Sequence, residues 1–198
     1  MKTLLIILGV ILITFIISQI YFMSTRSNIE EYPYEVIKEI GKVEVRKYDS
    51  SLFTSVNLST KKYEEASSKG FSKLAGYIFG GNANKEKIAM TSPVAMSLGD
   101  SMEVMFMVPK KYKMEDLPKP DQNDIKFKEV PEKKMAAIQF GGWANDKKIE
   151  KYKDALKEVL EANDIVYTNR FFFHGFNPPY DMINRKNEIL VELDDYES

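Results

Sequence analysis

The order of secondary-structure signals constrains this fold most, because the same order occurs twice along the 198 residues. Apolar residues at helical spacing predict two amphipathic helices, and short β-rich runs bounded by turn signals predict strands around them. The strands are predicted at 34–40, 43–48, 52–58, 88–98, 102–108, 125–130, 135–140, 166–173 and 188–193, and the helices at 61–79 and 146–162. Each half therefore consists of strands, a helix and two further strands.

This doubled order predicts an α+β fold, a distorted β-barrel built from two βαββ repeats with two covering helices. The run from Met102 to Val108 is apolar on both of its faces, which indicates a strand buried on both sides. If the helices cover one face of the sheet, the other face is left to form or line a cleft. We therefore expect ligand-binding space on the sheet as well as a core.

The amino-terminal segment differs from the rest of the chain, because Leu4 to Met23 contains no charged residue. A helix of that length, at about 1.5 Å per residue, reaches about 30 Å, which is the thickness of a bilayer's hydrocarbon core. We expect residues 1–24 to form a transmembrane helix that acts as a single-pass signal anchor, 25–31 a linker and 32–196 the folded domain. A cleaved signal peptide is the alternative, although no Ala-x-Ala pattern follows the apolar run.

Lys2 precedes the apolar run, which favours a cytoplasmic amino terminus and an extracytoplasmic domain. The 28 basic and 29 acidic residues nearly balance and show no basic face, so a nucleic-acid partner is not expected. The chain has no cysteine, which excludes disulfides and thiolate metal ligands. No nucleophilic serine motif, carboxylate pair or metal cluster has the spacing of an active site, so the chain is not predicted to be an enzyme.

A proline-containing loop joins two strands in the second half, within Phe176-Asn177-Pro178-Pro179. Adjacent prolines fix two φ angles and remove two backbone donors, so this loop is stiff and interrupts any regular strand pairing. Stiff loops between strands are favoured places for binding groups. The segment from His174 to Leu193 is therefore the first place to look for a site.

Several motifs, in this order along the chain, resemble the SOUL family of haem-binding proteins. They are Lys87-Ile88-Ala89-Met90-Thr91-Ser92-Pro93-Val94, Gln139-Phe140-Gly141-Gly142, Phe176-Asn177-Pro178-Pro179 and Arg185-Lys186-Asn187-Glu188, with the hairpin at 43–48 and the helix end at 77–82. The resemblance covers about residues 32–193. It implies the two-repeat barrel and non-covalent binding of haem or another tetrapyrrole in an apolar cleft near the first helix of the domain and the Pro-Pro loop. The same fold also resembles bacterial effector-binding domains, some of them related to hydrolases.

The resemblance points to helix, strand and loop residues as cofactor contacts: Phe71, Leu74, Ile78, Phe172, His174, Pro178, Pro179, Tyr180 and Arg185. His174 is the only histidine of the chain and is a hypothetical ligand of haem iron, the alternative being an unligated histidine at a strand end. Lys69, Lys73 and Arg185 are placed to pair with propionates, although the two lysines also fit a solvated surface.

Glu188 alternates with Leu190 and Glu192 on one face of the last strand, and it points into the barrel interior if the helices cover the opposite, apolar face. An enclosed carboxylate there is expected to have a raised pKa and could bind a cation or act as a general base. The alternative is a structural carboxylate paired with Arg185 or Lys186. Three hypotheses follow: a tetrapyrrole carrier, buffer or sensor; a hydrolase or dechelatase that uses Glu188; and a ligand-free interaction module at the membrane surface.

Overall fold

The computed structural model describes residues 2–25, 29–178, 181 and 184–194. Its helices are α1 (Lys2–Thr25), α2 (Tyr63–Ile78) and α3 (Asp146–Glu161). Its strands are β1 (Tyr34–Ile40), β2 (Val43–Tyr48), β3 (Ser51–Leu58), β4 (Val94–Leu98), β5 (Met102–Met107), β6 (Lys126–Val130), β7 (Lys133–Gly141), β8 (Tyr167–Gly175) and β9 (Lys186–Leu193). Every predicted element of the domain is present, with bounds that shift by at most two residues except in the strand predicted at 88–98.

The amino-terminal helix α1 forms over nearly the range predicted for the anchor. Within the described ranges, however, no helix has the length and apolarity that crossing a membrane requires. The predicted transmembrane helix and signal anchor are therefore not confirmed. Attachment to a membrane, and the side on which the domain would lie, stay predictions.

The nine strands form one antiparallel sheet in the order β1-β2-β7-β9-β8-β4-β5-β3-β6. The two predicted repeats are visible in this order, because β7-β9-β8 and β3-β5-β4 have the same arrangement. They belong to the units β7-α3-β8-β9 and β3-α2-β4-β5, and they meet where β8 pairs with β4. The prediction of two βαββ repeats is confirmed.

Two very short connections force this sheet to curl. β2 and β3 lie six strand positions apart, which is about 29 Å in a flat sheet, yet only residues 49 and 50 join them. Two residues span about 10 Å at most, and the same mismatch holds for β6 and β7, which residues 131 and 132 connect. Among the described residues no pairing joins the edge strands β1 and β6, so the sheet is a curled half-barrel that stays open.

The two faces of the sheet are packed differently. The helices cover the outer face, where Leu74 of α2 and Leu156 and Leu160 of α3 are completely buried. The inner face holds a second apolar group, the inner cluster: Tyr32, Tyr48, Phe53, Ala95, Met105, Met107, Met135, Ala137 and Leu190. Because side chains alternate along a strand, Phe173 of β8 packs with the outer core while Phe172 packs with the inner cluster.

The strand predicted at 88–98 forms only from Val94, because the preceding backbone bonds elsewhere. The backbone N–H of Ser92 donates to the carbonyl of Glu30 (2.9 Å), and the carbonyl of Ser92 accepts from Tyr32 (2.8 Å). This segment therefore pairs with the chain that leads into β1. The pairing also fixes Tyr32 at the inner face of the sheet.

Candidate functional site

An apolar cleft lies on the outer face of the sheet, between α2, β4 and the loop after β8. This α2 cleft has a volume of about 500 Å³. Its apolar lining consists of Tyr63, Phe71, Val94, Met96, Trp143, Ala144 and Phe173. Of the predicted helix stripe only Phe71 reaches the cleft, because Leu74 and Ile78 point into the core at 0% and 4% exposure. Of the three predicted contacts, Phe71 is the one that lines the cleft, whereas the burial of Leu74 and Ile78 does not fit a contact with a ligand there.

The loop after β8 is held in shape by Arg185. Its guanidinium donates to the carbonyls of Asn177 (3.3 Å), Pro178 (3.0 Å) and Asp181 (2.7 Å). It also lies 4.0 Å from the centre of the Trp143 ring, at the wall of the α2 cleft. Charge-assisted hydrogen bonds to three carbonyls fix the loop, so Arg185 is first of all a structural residue.

Two predicted loop residues, Pro179 and Tyr180, lie outside the described residues. Pro178 is half-buried and is bound through its carbonyl. The lysines of α2 have partners of their own, since Lys69 pairs with Glu65 and Lys73 with Asp124. These contacts fit lysines at the solvated surface. Arg185 is the basic side chain among the residues that line the α2 cleft.

A second space, the interior cavity, lies on the inner face of the sheet and also measures about 500 Å³. Phe172 and His174 of β8 line this cavity, whereas their neighbour Phe173 lines the α2 cleft. The predicted site is therefore divided between two faces. Since the sheet lies between them, His174 could ligate iron only in the interior cavity and not in the α2 cleft.

His174 is almost completely buried, at 3% exposure. Burial lowers the pKa of its imidazole to about 3, against the opposing influence of the Glu188 carboxylate. The ring is therefore neutral at physiological pH, and its Nδ1 atom is buried without a hydrogen-bond partner. In the strand register, His174 lies between Ala95 of β4 and Glu188 of β9.

Glu188 is fully buried and lies in an ion-pair cluster. Arg46 donates to both of its oxygens (2.8 and 3.0 Å), and the Nζ atom of Lys186 lies 3.1 Å from Oε1. Burial by itself raises the pKa of Glu188, but the hydrogen bonds and charge of Arg46, with the charge of Lys186, outweigh it and hold the pKa below its usual value. The expected raised pKa is wrong, and the alternative of a structural carboxylate fits the geometry.

The role of Arg46 was not predicted, although the sequence contains part of the signal. Glu44, Arg46 and Tyr48 alternate along β2 and therefore share one face. Arg46 donates to Glu44 (2.7 Å) and to the hydroxyl of Tyr48 (3.0 Å), and it lies 4.2 Å from the centre of the Tyr34 ring. Its partner Glu188 is 142 residues away in sequence, so only the strand order could bring the two together.

This cluster does not have the composition of a metal centre. Within the described part of the chain, no three histidine, aspartate or glutamate side chains lie close enough to hold a metal ion. The carboxylate of Glu188 is already neutralised by two cations. The arrangement fits a structural role at the inner face of the sheet.

Comparison with known protein families and proteins shows which of them are similar to this chain in sequence. The family described as SOUL heme-binding protein matches residues 29–192. Heme-binding protein 1 of Xenopus laevis is 27% identical over 154 residues, which cover 74% of this chain and 80% of that protein. Heme-binding protein 2 of Mus musculus is 25% identical over 168 residues, covering 80% of this chain and 82% of that protein.

Solved structures share the fold at lower identity. The C-terminal domain of EcmrR superposes with a TM-score of 0.58 at 11% identity, covering 82% of this chain and 99% of that domain. A hydrolase from Listeria innocua gives the same TM-score and identity, covering 80% of this chain and 94% of that protein. At such identity the likeness concerns the fold alone.

Proposed function

The chain belongs to the SOUL heme-binding protein family, and from that membership we propose that it binds haem non-covalently in the α2 cleft. The observation that carries the proposal is an apolar cleft of about 500 Å³ beside α2 and the Pro-Pro loop, with one basic side chain, Arg185, among its lining residues. Apolar walls with a few polar groups and a volume of several hundred Å³ are typical of small-molecule sites. The similar proteins named as haem-binding support the same conclusion.

The residues of the α2 cleft fit a flat apolar ring with acidic substituents. Phe71, Trp143 and Phe173 provide aromatic surface, and Arg185 provides the charge that a propionate would pair with. Haem would supply the iron. Tyr63 lines the cleft, and a tyrosine phenolate can ligate haem iron. Burial raises the pKa of the Tyr63 phenol despite the charge of Arg185, which disfavours the phenolate and makes Tyr63 a poor ligand.

Binding in this cleft would depend on burial more than on coordination. Burial contributes about 25 cal/mol for each Å² of apolar surface, whatever metal the porphyrin holds. We therefore expect metal-free protoporphyrin to bind nearly as well as haem. Such exchangeable binding suits a carrier or a buffer, and it would also serve a sensor.

Two side-chain replacements on one helix test this proposal. Ser67 lines the α2 cleft, whereas Ser72 is exposed on the same helix and does not line it. In a titration of the full chain with hemin, followed by the Soret band, Ser67→Phe should weaken binding by about tenfold or more and Ser72→Phe should leave it unchanged. Hemin binding that is absent from the wild-type chain, or equal in both variants, would overturn the proposal.

The other two hypotheses receive less support. A hydrolase or dechelatase that uses Glu188 needs a carboxylate open to its substrate, and this one is fully buried and bound by Arg46 and Lys186. A ligand-free interaction module needs no cleft, yet two spaces of about 500 Å³ are present. Binding of a tetrapyrrole remains the function that the geometry supports best.

A further inference from the structure

The interior cavity holds an unusual lysine. Lys133 lines the cavity and is half-buried, with its ammonium 4.2 Å from the centre of the Phe172 ring. Among the described residues no carboxylate lies within ion-pair distance of it, whereas the neighbouring cations Lys128 and Arg170 are paired with Glu103 and Glu192. A desolvated ammonium without a carboxylate partner favours an anion beside it.

Two further polar atoms of the same cavity are also unsatisfied. The hydroxyl of Tyr32 and Nδ1 of His174 are buried without hydrogen-bond partners, and both residues line the cavity. Tyr32 is 4% exposed and His174 is 3% exposed. Buried polar groups in proteins nearly always have a partner, so two orphans in one cavity call for an explanation.

Lys133, Tyr32 and His174 belong to one neighbourhood. Lys133 lies opposite Tyr48 in the pairing of β7 with β2. The ring of Tyr48 is 4.7 Å from that of Tyr32 and 6.0 Å from that of His174. Tyr48 therefore adjoins all three of these residues, which bring to the cavity an ammonium, a phenol hydroxyl and a neutral imidazole, each able to donate a hydrogen bond.

Part of the cavity wall is apolar and adaptable. Phe53, Met105, Met135 and Phe172 line it, and methionine side chains adjust to ligands of differing shape. Among the acidic side chains at the cavity, Glu103 and Glu192 have cationic partners, as does Glu132 through Lys47. Glu129 is exposed and accepts a hydrogen bond from Ser50. The apolar wall thus adjoins a group of donors.

We propose that the interior cavity is a second ligand site, separate from the α2 cleft, for an amphipathic carboxylate such as a medium-chain fatty acid. The carboxylate pairs with Lys133 and accepts hydrogen bonds from Tyr32 and His174. The hydrocarbon chain packs on Phe172 and the methionines. Because the two spaces lie on opposite faces of the sheet, this site can be filled whether or not the α2 cleft holds a ligand.

The test compares two ligands that differ only in the head group. Dodecanoate and dodecanol are titrated into the full chain in detergent-free buffer by calorimetry, and dodecanoate should bind about tenfold tighter or more. Lys133→Met should abolish this preference. Lys134→Met removes the same charge from the next position of β7, outside the cavity, and should preserve it. Tyr32→Phe should reduce the preference by a smaller factor.

Two controls separate this site from the α2 cleft and from misfolding. Hemin titration of Lys133→Met should match the wild type, and Ser67→Phe should bind dodecanoate normally; circular dichroism verifies the fold of each variant. The proposal is overturned if the wild type binds neither ligand, if it binds both equally, or if Lys133→Met keeps the preference. It is also overturned if Ser67→Phe abolishes dodecanoate binding, since the ligand would then occupy the α2 cleft.

Discussion

At the scale of single residues, the inner face of the sheet carries buried charge that is neutralised locally. Glu188 is fully buried, and Arg46, at 3% exposure, binds both of its carboxylate oxygens. Removing one partner of a buried pair is far more costly than removing both, because it leaves an uncompensated charge. The neighbouring His174 adds no charge, since burial lowers its pKa to about 3.

The Arg46–Glu188 pair can be tested by a double-mutant cycle. Arg46→Met should lower the free energy of unfolding by about 3–5 kcal/mol, because among the described residues Glu188 then keeps only Lys186 as an ion-pair partner. The double variant Arg46→Met, Glu188→Leu should recover a large part of that loss, as measured by urea denaturation. Glu44→Gln is the matched control, since Glu44 is the more exposed partner of Arg46 and should cost no more than about 1 kcal/mol. Equal losses in the single and double variants would contradict this account.

His174 makes the free energy of unfolding depend on pH. Its folded pKa is about 3 and its unfolded pKa about 6.5, so between these values the unfolded chain binds more protons. The neutral, buried imidazole therefore costs no stability well above pH 6.5. As the pH falls below 6.5, the unfolded chain takes up a proton at His174 and the free energy of unfolding decreases. Between pH 7 and 5 the wild type should lose about 2 kcal/mol more than His174→Gln, measured by urea denaturation at each pH. Parallel pH profiles would show that the imidazole is not buried as described.

The sequence predicted the types of the site residues better than their grouping. His174 and Glu188 were predicted near a ligand, and both are buried at the inner face. The sequence placed residues of both sheet faces in one site, because it could not show which side of β8 faces the helices. Phe171-Phe172-Phe173 is apolar on both sides of the strand, so its pattern does not distinguish them. The pairing of Arg46 with Glu188 depends on β2 lying beside β7, which no local pattern encodes.

At the scale of elements, the packing of α2 against the sheet positions the α2 cleft. Gly70 allows this packing, because a Cβ atom there would lie 2.7 Å from the Cβ atom of Val104 on β5 and 3.2 Å from Leu58. Gly76, on the exposed side of the same helix, has no atom within 4 Å of such a Cβ. One helix therefore holds two glycines with opposite roles, although helix propensity alone would favour alanine at both.

Alanine substitution distinguishes these two glycines. Gly70→Ala should lower the free energy of unfolding by about 1–3 kcal/mol, because the overlap with Val104 exceeds the gain in propensity. Gly76→Ala should raise it by about 0.5–1 kcal/mol, because only the propensity changes. Thermal and urea denaturation measure both, and a stabilising Gly70→Ala would mean that α2 stands farther from β5 than described.

The elements themselves were largely predictable, since strand alternation and helical periodicity are local properties. The main departure is the segment 88–93, which is apolar enough for a strand but bonds to residues 30–32. Its partners lie about sixty residues earlier, so the periodicity gave no sign of them. β7 also extends beyond its prediction, by two residues at its start and one at its end, whereas β8 begins one residue later and ends two residues later than predicted.

At the scale of the whole molecule, the curled sheet separates two binding spaces. The doubled order of elements predicted two βαββ repeats, and the short connections explain why the sheet curls although it stays open. What the sequence could not predict is that both faces of the sheet hold a cavity of about 500 Å³. That outcome depends on the joint packing of helices, loop and inner cluster.

Ring-current shifts from a diamagnetic porphyrin test the central claim most directly, because they locate the tetrapyrrole without any substitution. Gallium protoporphyrin is added to the full chain, and the indole resonance of Trp143, the only tryptophan, is followed with the methyl resonances of the methionines. Trp143 and Met96 line the α2 cleft, whereas Met105 and Met135 line the interior cavity. We predict large shifts for Trp143 and Met96 and small ones for Met105 and Met135; the reverse pattern, or no shift at all, would contradict haem binding in the α2 cleft.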